Sequence, residues 1–401
     1  MSKEGKVLTH FILLSSLLSP SVVCVAQLTA GIDHTLALLV HAPPTHHVEF
    51  TQLLQQFDRL TPVQQSAAAE SLLPPNNFGL VAGSFYAMDQ AFNSTTGRIE
   101  DIHGFLNRYW RTQGENLGDP IATGSGWIKI IGGHLNQRAH AQISGFTGNP
   151  VGIALGTDWG LSDCTTLGLA ASYTKDTIND SAANPKNIDI KSYQGTGYGW
   201  FDLTHQVYLN AMLGFAKNRY HLHRFVQIDP IHTSTRAYID ASQVGARAEL
   251  GWVALENVRF YCAPILRMQY LFLKIKNYNE DAAELINLSV STRPLHEGMG
   301  GMGARLGTLI ETDFALLVPE LTALLGYDFY ANQEQTTANF IGEGVPFVTT
   351  GGRFGRTLFE LGLGLDLHVG LGSIFSLKYD LQWRDRFIAN SGFFQYNIIW
   401  S

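Results

Sequence analysis

The chain has 401 residues, a net charge of −7 and an isoelectric point near 6.0, so it lacks the basic balance of a nucleic-acid-binding protein. Charged residues make up only 15% of the chain, against about 25% in typical soluble domains. The mean hydropathy of +0.01 is too low for a helical membrane protein and is typical of a β-barrel in lipid, in which apolar and polar residues alternate.

The first 26 residues read as a secretory signal peptide. Lys3 and Lys6 supply the positive region, residues 11–23 the apolar core, and a cleavage site follows Ala26. The apolar core is too short to span a bilayer as a helix. Export without a spanning helix leaves two classes of protein, a soluble periplasmic or secreted protein and an outer-membrane barrel.

Residues 27–79 are predicted to be a linker or short passenger remnant that contains short helices. Residues 49–60 carry apolar side chains at helical spacing, and Thr61 followed by Pro62 is typical of the start of a second short helix. A longer helical pattern covers residues 78–112, with an expected interruption at 93–97. We therefore assign residues 80–125 to a separate helical segment that precedes the strands.

From Trp127 onward the hydrophobic period changes to two, which predicts β-strands. Within residues 373–385, for example, Phe375, Leu377 and Tyr379 alternate with Ser376 and Lys378. Twelve such segments follow one another, many of them longer than the strands of ordinary soluble sheets. They cover 126–141, 151–160, 165–175, 188–203, 206–219, 238–255, 258–276, 287–309, 314–331, 357–370, 373–386 and 391–401. The sequence predicts an all-β, twelve-stranded antiparallel transmembrane barrel over residues 126–401.

The polar face of these strands is expected to line the barrel lumen. The charged candidates carry both signs: Arg247, Glu249, Arg267, Arg305, Glu320, Glu360, Asp366, Lys378, Asp380 and Arg384. They are able to hydrogen-bond a helix inside the barrel, or they are simply solvated wall. The tryptophans are expected in the aromatic girdles at the membrane interfaces: Trp127, Trp159, Trp200, Trp252, Trp383 and Trp400.

Residues 297–307, EGMGGMGARLG, place three glycines at the G-x-G-x-x-G spacing of dinucleotide-binding proteins. That fingerprint requires a helix directly after the glycines, so that the helix N-terminus meets the phosphates. Here the residues after Gly303 alternate instead, which indicates a strand whose glycines face the interior. No cofactor is expected at this site.

The order of short helices, a long helix and about twelve amphipathic strands resembles the translocator domain of classical autotransporters (type V secretion). The resemblance covers residues 50–401. It includes AMDQAFNSTTGRIEDI for the helix that threads the pore, GWIKIIGG for the first strand and GMGARLGTLIETDFALLVPELTALLGYDF for a later hairpin. It implies a protein of the Gram-negative outer membrane that meets the Sec export machinery, periplasmic chaperones, the barrel-assembly machinery and outer-membrane lipid.

Two features depart from the family pattern. Members end in an aromatic residue that the assembly machinery reads, whereas here Ser401 follows the aromatic residue. The expected insertion signal is nevertheless present on one face of the last strand, at Phe394, Tyr396, Ile398 and Trp400. The segment between Ala26 and the helices is short, where the family usually carries a passenger of several hundred residues.

Three functions remain open at this point. The first is an autotransporter barrel that translocates or anchors an N-terminal passenger, and the second is a stand-alone channel or structural barrel without cargo. An outer-membrane enzyme is the least favoured, although Asp366 with His368, or a self-cleaving Asn93 or Asn116, offers the required residue types. No catalytic, cofactor-binding or metal site is expected, because His46 and its neighbours lie in a linker without a fixed scaffold.

Overall fold

Twelve long antiparallel strands form the body of the protein in a computed structural model. The structure describes residues 55–74, 78–103, 124–140, 144–162, 164–181, 186–228, 231–256, 260–283, 286–331, 333–341, 346–369 and 373–400. The strands are β1 Gly124–Gln137, β2 Val151–Ser162, β3 Thr165–Asp180, β4 Asn187–Asp202, β5 Val207–Ile228, β6 Ile231–Trp252, β7 Phe260–Ile275, β8 Leu295–Thr308, β9 Leu316–Asp328, β10 Thr357–Val369, β11 Ser373–Arg384 and β12 Phe387–Trp400. Each strand overlaps one of the twelve segments expected from the sequence.

The sheet closes on itself. Each of the twelve strands pairs with its two neighbours in chain order, and β1 pairs with β12 from Gly124 opposite Trp400 to Gln137 opposite Phe387. A closed cylinder gives the backbone of every strand a partner on both sides, which is what lipid requires of a sheet that crosses it. The predicted barrel is confirmed.

The outer and inner faces of the cylinder differ in chemistry. Outward side chains are large and apolar along much of each strand, as in Ile130, Leu169 and Leu377, which are 60%, 60% and 61% exposed. On β12 the outward residues include Phe394 and Ile398. Inward positions carry buried polar and charged side chains. A continuous apolar surface of this kind is not stable in water, so it fits contact with acyl chains.

The two ends of the barrel have connections of different length. Short turns such as 203–206 join strands at the end where β1 begins and β12 ends, which we call the turn end. At the opposite, loop end, connections 276–294 and 329–356 form a second sheet from the strands Tyr278–Asn279, Leu288–Thr292, Gln335–Phe340 and Phe347–Thr350. The sequence pattern treats 287–309 as one strand, but its first residues belong to this outer sheet.

β5 and β6 are 22 residues long and reach beyond the rest of the barrel at the loop end. Residues 220–237 are not part of any strand predicted from the sequence, because the polarity of the alternation reverses there. Leu222 and Val226 point inward and are fully buried, whereas His221 and Gln227 point outward. The inner face of this projection packs against protein, and its outer face is polar.

Within the described residues, two helices precede the strands, α1 Pro62–Leu72 and α2 Phe78–His103, and residues 55–59 are also helical. The Gln64 side chain accepts a hydrogen bond from the Thr61 backbone N–H at 3.0 Å, as a capping box requires. Among the described residues, neither helix combines the length and apolarity needed to cross a bilayer.

The interruption expected at 93–97 is wrong, because α2 is continuous through these residues. Ser94 and Thr96 donate their hydroxyl hydrogens to the carbonyl oxygens of Gln90 and Phe92, at 2.8 and 3.0 Å. Side-chain bonds to the preceding turn satisfy hydroxyl groups inside a helix. The polar run therefore remains helical.

The glycine-rich segment lies within β8 and is not followed by a helix. Gly303 is on the inward face as expected, but Gly298 and Gly300 are on the outward face against Tyr330 and Phe329. The prediction that all three glycines face the interior is therefore wrong for two of them. A Cβ atom at position 303 would lie 2.1 Å from the Ala323 carbonyl oxygen of β9, so only glycine permits this close approach of strands.

We expect Gly303→Val to destabilise the barrel by about 1–3 kcal/mol, because the added atoms force β8 and β9 apart. Heat-modifiable migration on SDS gels at increasing temperature measures the loss of the closed form. Gly392→Val is the matched control, since a Cβ there meets no atom within 4 Å. Equal melting of the two variants would contradict the close-approach explanation.

Candidate functional site in the barrel lumen

α2 runs through the lumen from the loop end to the turn end. At its start, the Phe78 ring lies 4.7 Å from Phe354 and 5.9 Å from Phe146, both at the loop end. Near its other end, Arg98 contacts Ser125, the second residue of β1. The helix therefore leads from the loop end back to the first strand.

One side of α2 packs tightly on the wall formed by β3 to β6. Gly214 and Gly245 leave room for the Phe92 ring, because a Cβ at either position would lie 3.0 Å from a ring carbon. Nearer the loop end, the Ser84 hydroxyl and the Tyr220 hydroxyl are hydrogen-bonded at 2.8 Å. Close packing of α2 on this part of the wall determines how the helix is rotated about its own axis.

The other side of α2 carries a polar cluster at mid-height. Asp89 forms an ion pair with Arg247 of β6, and it accepts a hydrogen bond from the Gln382 amide of β11. The Asn93 side-chain oxygen Oδ1 accepts from Arg247 Nη1 at 2.6 Å, and its side-chain nitrogen Nδ2 donates to Asp380 Oδ2 at 3.2 Å. Strands β6 and β11 thus contact the same turn of α2.

A second ionic contact lies toward the turn end. Arg98 is fully buried and donates to both carboxylate oxygens of Asp158 on β2, at 2.9 and 3.2 Å. Tyr198 donates its hydroxyl hydrogen to Asp158 at 3.2 Å, and Trp127 Nε1 donates to the Tyr198 hydroxyl at 2.9 Å. Every member of this group is buried, so a bidentate arginine contact gains from the low local dielectric.

This arrangement corrects the expected position of two tryptophans. Trp127 and Trp200 point inward and are only 4% and 2% exposed, and Trp200 stacks on Tyr208 at 4.1 Å. Trp159, Trp252 and Trp383 face outward. Trp127 occupies an inward-facing position of β1, and its indole N–H donates a hydrogen bond to the Tyr198 hydroxyl.

The structure positions all ten charged lumen candidates on the inward face of their strands. Arg267 contacts Glu249 at 2.9 Å and Glu360 at 2.6 Å, and Arg305 contacts Glu249 at 3.1 Å. Further pairs join Lys378 to Glu320 and Asp366, at 3.9 and 3.8 Å, and Arg384 to Glu297 at 3.0 Å. Most of these charges bind one another, and Arg247 and Asp380 contact the helix directly.

A small polar cavity remains between α2 and the wall formed by β9 to β11. Its volume is about 70 Å³, and Asn93, Lys129, Glu320, Glu360 and Lys378 are among its lining residues. Such a space holds a few water molecules at most. The helix therefore fills the lumen at this level.

α1 is held at the loop end by Arg224 of β5. Arg224 is fully buried and pairs with Glu280, which belongs to the outer-sheet connection. Its guanidinium also donates to the carbonyl oxygens of Ser71 in α1 and of Ile286, each at 2.8 Å. One side chain thus joins the projecting hairpin, the outer sheet and the segment that precedes the pore helix.

Sequence reasoning missed several of the residues that make these contacts. Asp158 is an inward-facing residue of β2, so the alternation that identified the ten candidates also predicts its position. Arg224 and Glu280 were not predictable in this way, because neither belongs to a predicted strand. The expected signal peptide and the cleavage site at Ala26 lie outside the described residues, as does the side chain of Trp400.

We expect Arg247→Ala to cost about 3–5 kcal/mol, because it leaves the Asp89 carboxylate buried without its cation. The measurement is the urea midpoint of unfolding in detergent micelles. The double variant Arg247→Met with Asp89→Leu should recover most of the loss, since it removes both charges.

Arg236→Ala serves as the control for this experiment. Its pair with Asp281 is more than half exposed, so its loss should change stability by no more than about 0.5 kcal/mol. A midpoint for Arg247→Ala that equals the control would refute the buried-pair argument.

Comparison with known proteins agrees with this geometry. The family model described as Autotransporter beta-domain matches residues 126–380, more than half of the chain. Outer membrane protein A of Rickettsia conorii is 23% identical over 387 residues, 90% of this chain and 18% of that protein. Outer membrane protein B of Rickettsia japonica is 21% identical over 287 residues, 70% of this chain and 17% of that protein. The chain thus spans less than a fifth of the length of these relatives.

The fold is also that of a solved structure. The translocator domain of the autotransporter NalP from Neisseria meningitidis superposes with a TM-score of 0.55 at 16% identity, over 76% of this chain and 97% of that one. The closed barrel therefore agrees with the family match. The chain belongs to the autotransporter β-domain family and is an autotransporter barrel of the bacterial outer membrane.

Proposed function

We propose that the barrel passes the segment N-terminal to α2 outward and then anchors it at the cell surface, with α2 as the plug of the pore. The direction of α2 carries this proposal. Outer-membrane barrels have short periplasmic turns and longer extracellular loops, so the loop end faces the exterior. The start of α2 lies at that end, and α1, which precedes it, lies there too.

The charge pattern of the lumen supports a resident helix in preference to an open channel. Arg247 and Asp158 of the wall each bind a charge of opposite sign on α2, and both ion pairs are buried. Uncompensated buried charges are costly. The wall is thus complementary to this helix, and a passive channel would not require such matching.

We infer that assembly follows the family's general route. The signal peptide of residues 1–26 would direct the chain to the Sec machinery, and chaperones would carry it to the barrel-assembly machinery. The outward row of the last strand supports recognition there, because Phe394 and Ile398 are 49% and 45% exposed on one face of β12. These partners rest on family membership and on this row alone.

Deleting residues 80–112 should raise single-channel conductance several-fold in planar bilayers, because the residual cavity beside α2 holds only a few waters. Deletion of residues 28–54 is the control, since it shortens the chain without touching α2. Unchanged conductance after removal of 80–112 would count against the plug.

We also infer that the barrel does not cut its own chain at Asn93. An asparagine cleaves its own peptide bond when its side-chain nitrogen attacks its backbone carbonyl carbon. The Asp380 carboxylate accepts from that nitrogen and is placed to act as its base. However, the residue lies inside a continuous helix and its side-chain oxygen accepts from Arg247, so the side chain is held against the wall and away from its own backbone carbonyl. Both ends of the amide are therefore directed toward the wall.

The mature protein is expected to retain α2 in one covalent chain with the barrel. Mass spectrometry of the N-terminus after purification from outer membranes tests this expectation, and a start at Gln27 is the predicted result. A start within residues 90–120 would establish self-processing and overturn the inference.

A further inference from the structure

Four cationic side chains cluster on the outward face of β3, β4 and β5, just beyond the apolar zone at the loop end. Lys175 of β3 is directly opposite Lys191 of β4, and Lys191 is directly opposite Arg219 of β5. Lys217 lies two residues before Arg219 on the same face. All four side chains are exposed. We call these four residues the cationic row.

Like charges in directly opposed positions destabilise a sheet, because their Cβ atoms are only about 4.5–5.5 Å apart. Among the residues that the structure describes, none places a carboxylate within 4.0 Å of any member of the row. Asp240 is opposite Arg219, but its carboxylate lies 3.8 Å from Lys276 instead. The nearby Asp189 accepts the Thr177 hydroxyl at 2.8 Å. The row is therefore an electrostatic cost that a bound anion would remove.

The row stands at the boundary of the lipid zone. At the level of Lys217, one step toward the turn end from the other three cations, the outward Tyr173 and Tyr193 rings lie 5.2 Å apart. The Arg219 guanidinium is 5.9 Å from the Tyr193 ring. Interfacial tyrosines mark the headgroup level of a membrane. Further down, outward side chains are apolar, with Leu213 and Phe215 59% and 64% exposed.

A trough lies on the outer surface further toward the turn end. On β5 it starts at Leu213, two outward positions below Lys217, and it extends across the neighbouring strands to β7 and β8. It is lined on the outer surface by small residues and bounded by larger ones such as Leu167, Leu213 and Met268, with a volume of about 680 Å³. The small residues are Gly197, Gly199, Ala211, Ala246 and Ala248. This volume lies within the range of about 300–1,000 Å³ that is typical of ligand sites.

We propose that β3 to β7 form a binding site for an acylated lipid that carries phosphate groups in the outer leaflet. The cationic row binds the phosphates, and the trough receives an acyl chain. Phosphate is the anion that several converging Lys and Arg side chains recognise best, and clusters of this kind bind anionic headgroups at a membrane surface. A free phosphate would satisfy the row but would leave the trough unused.

The test compares the purified full-length chain with Lys191→Gln plus Arg219→Gln. Binding of bisphosphorylated lipid A, of the same lipid after dephosphorylation, and of inorganic phosphate is measured by native mass spectrometry and by thermal unfolding in zwitterionic detergent. Wild type should prefer bisphosphorylated lipid A at least tenfold over both other probes, and the double variant should lose that preference. Arg293→Gln, on the outer sheet, is the control and should retain it.

Loss of binding is separable from loss of folding. In detergent without phosphate the double variant should melt at the same temperature as wild type or higher, because opposed cations have been removed. Gly197→Val tests the trough independently, since its Cβ would meet only Leu169, at 3.8 Å. It should weaken binding of lipid A severalfold and leave binding of inorganic phosphate unchanged.

Three results would overturn the proposal. Equal affinity of wild type for the dephosphorylated lipid would exclude phosphate recognition by the row. Full affinity in the folded double variant would show that lipid binds elsewhere. Inorganic phosphate binding as tightly as lipid A would leave an anion site without a lipid.

Discussion

Closure of the sheet between β1 and β12 is the constraint on which the rest of the structure depends. The fourteen residues of β1 pair with the fourteen of β12, and this ladder completes the cylinder. In lipid, an unpaired strand edge would expose backbone groups that have no hydrogen-bond partner. Once the edge is removed, the pleat sends alternate side chains outward to acyl chains and inward to a narrow lumen. Polar residues on the inward face cannot reach bulk water in a pore that a helix fills. They therefore form ion pairs and hydrogen bonds with one another and with the helix.

Three buried arginines position the two helices, Arg224 for α1 and Arg247 and Arg98 for α2. At the loop end Arg224 binds the α1 carbonyl of Ser71, at mid-height Arg247 of the wall pairs with Asp89 of the helix, and near the turn end Arg98 of the helix pairs with Asp158 of the wall. At mid-height the helix supplies the carboxylate of the ion pair, whereas near the turn end it supplies the guanidinium. A helix shifted by one turn would therefore bring neither pair together, and both strong contacts specify the same register.

The barrel followed from the sequence because a period of two is a local signal that repeats twelve times. The prediction was wrong where the environment of a strand changes along its length. Along β5 the inward face is polar at Asn210 inside the lumen and apolar at Leu222, where the strand leaves the membrane and packs on protein. The alternation continues, but its polarity reverses, so a rule that equates apolar with outward ends the strand too early. The same reasoning misplaced Trp127 and Trp200, whose type suggested a girdle although Trp127 has inward parity on β1.

The lumen contacts were predictable as a class but not as pairs. Alternation identifies Arg247 and Asp380 as inward, yet their contact with Asn93 depends on the angle and height at which the helix enters, and Phe92 against Gly214 and Gly245 fixes that angle. Those glycines are directly opposite each other in the β5–β6 hairpin, but alternation alone does not show which inward positions the helix meets. The polarity reversal that misled the strand assignment also has a positive use. On β5 it follows the crossing from lipid to water, which lies between Phe215, apolar and outward, and Lys217 of the cationic row. On β5 the change in the sense of alternation therefore lies close to the membrane boundary, at the level where the cationic row begins.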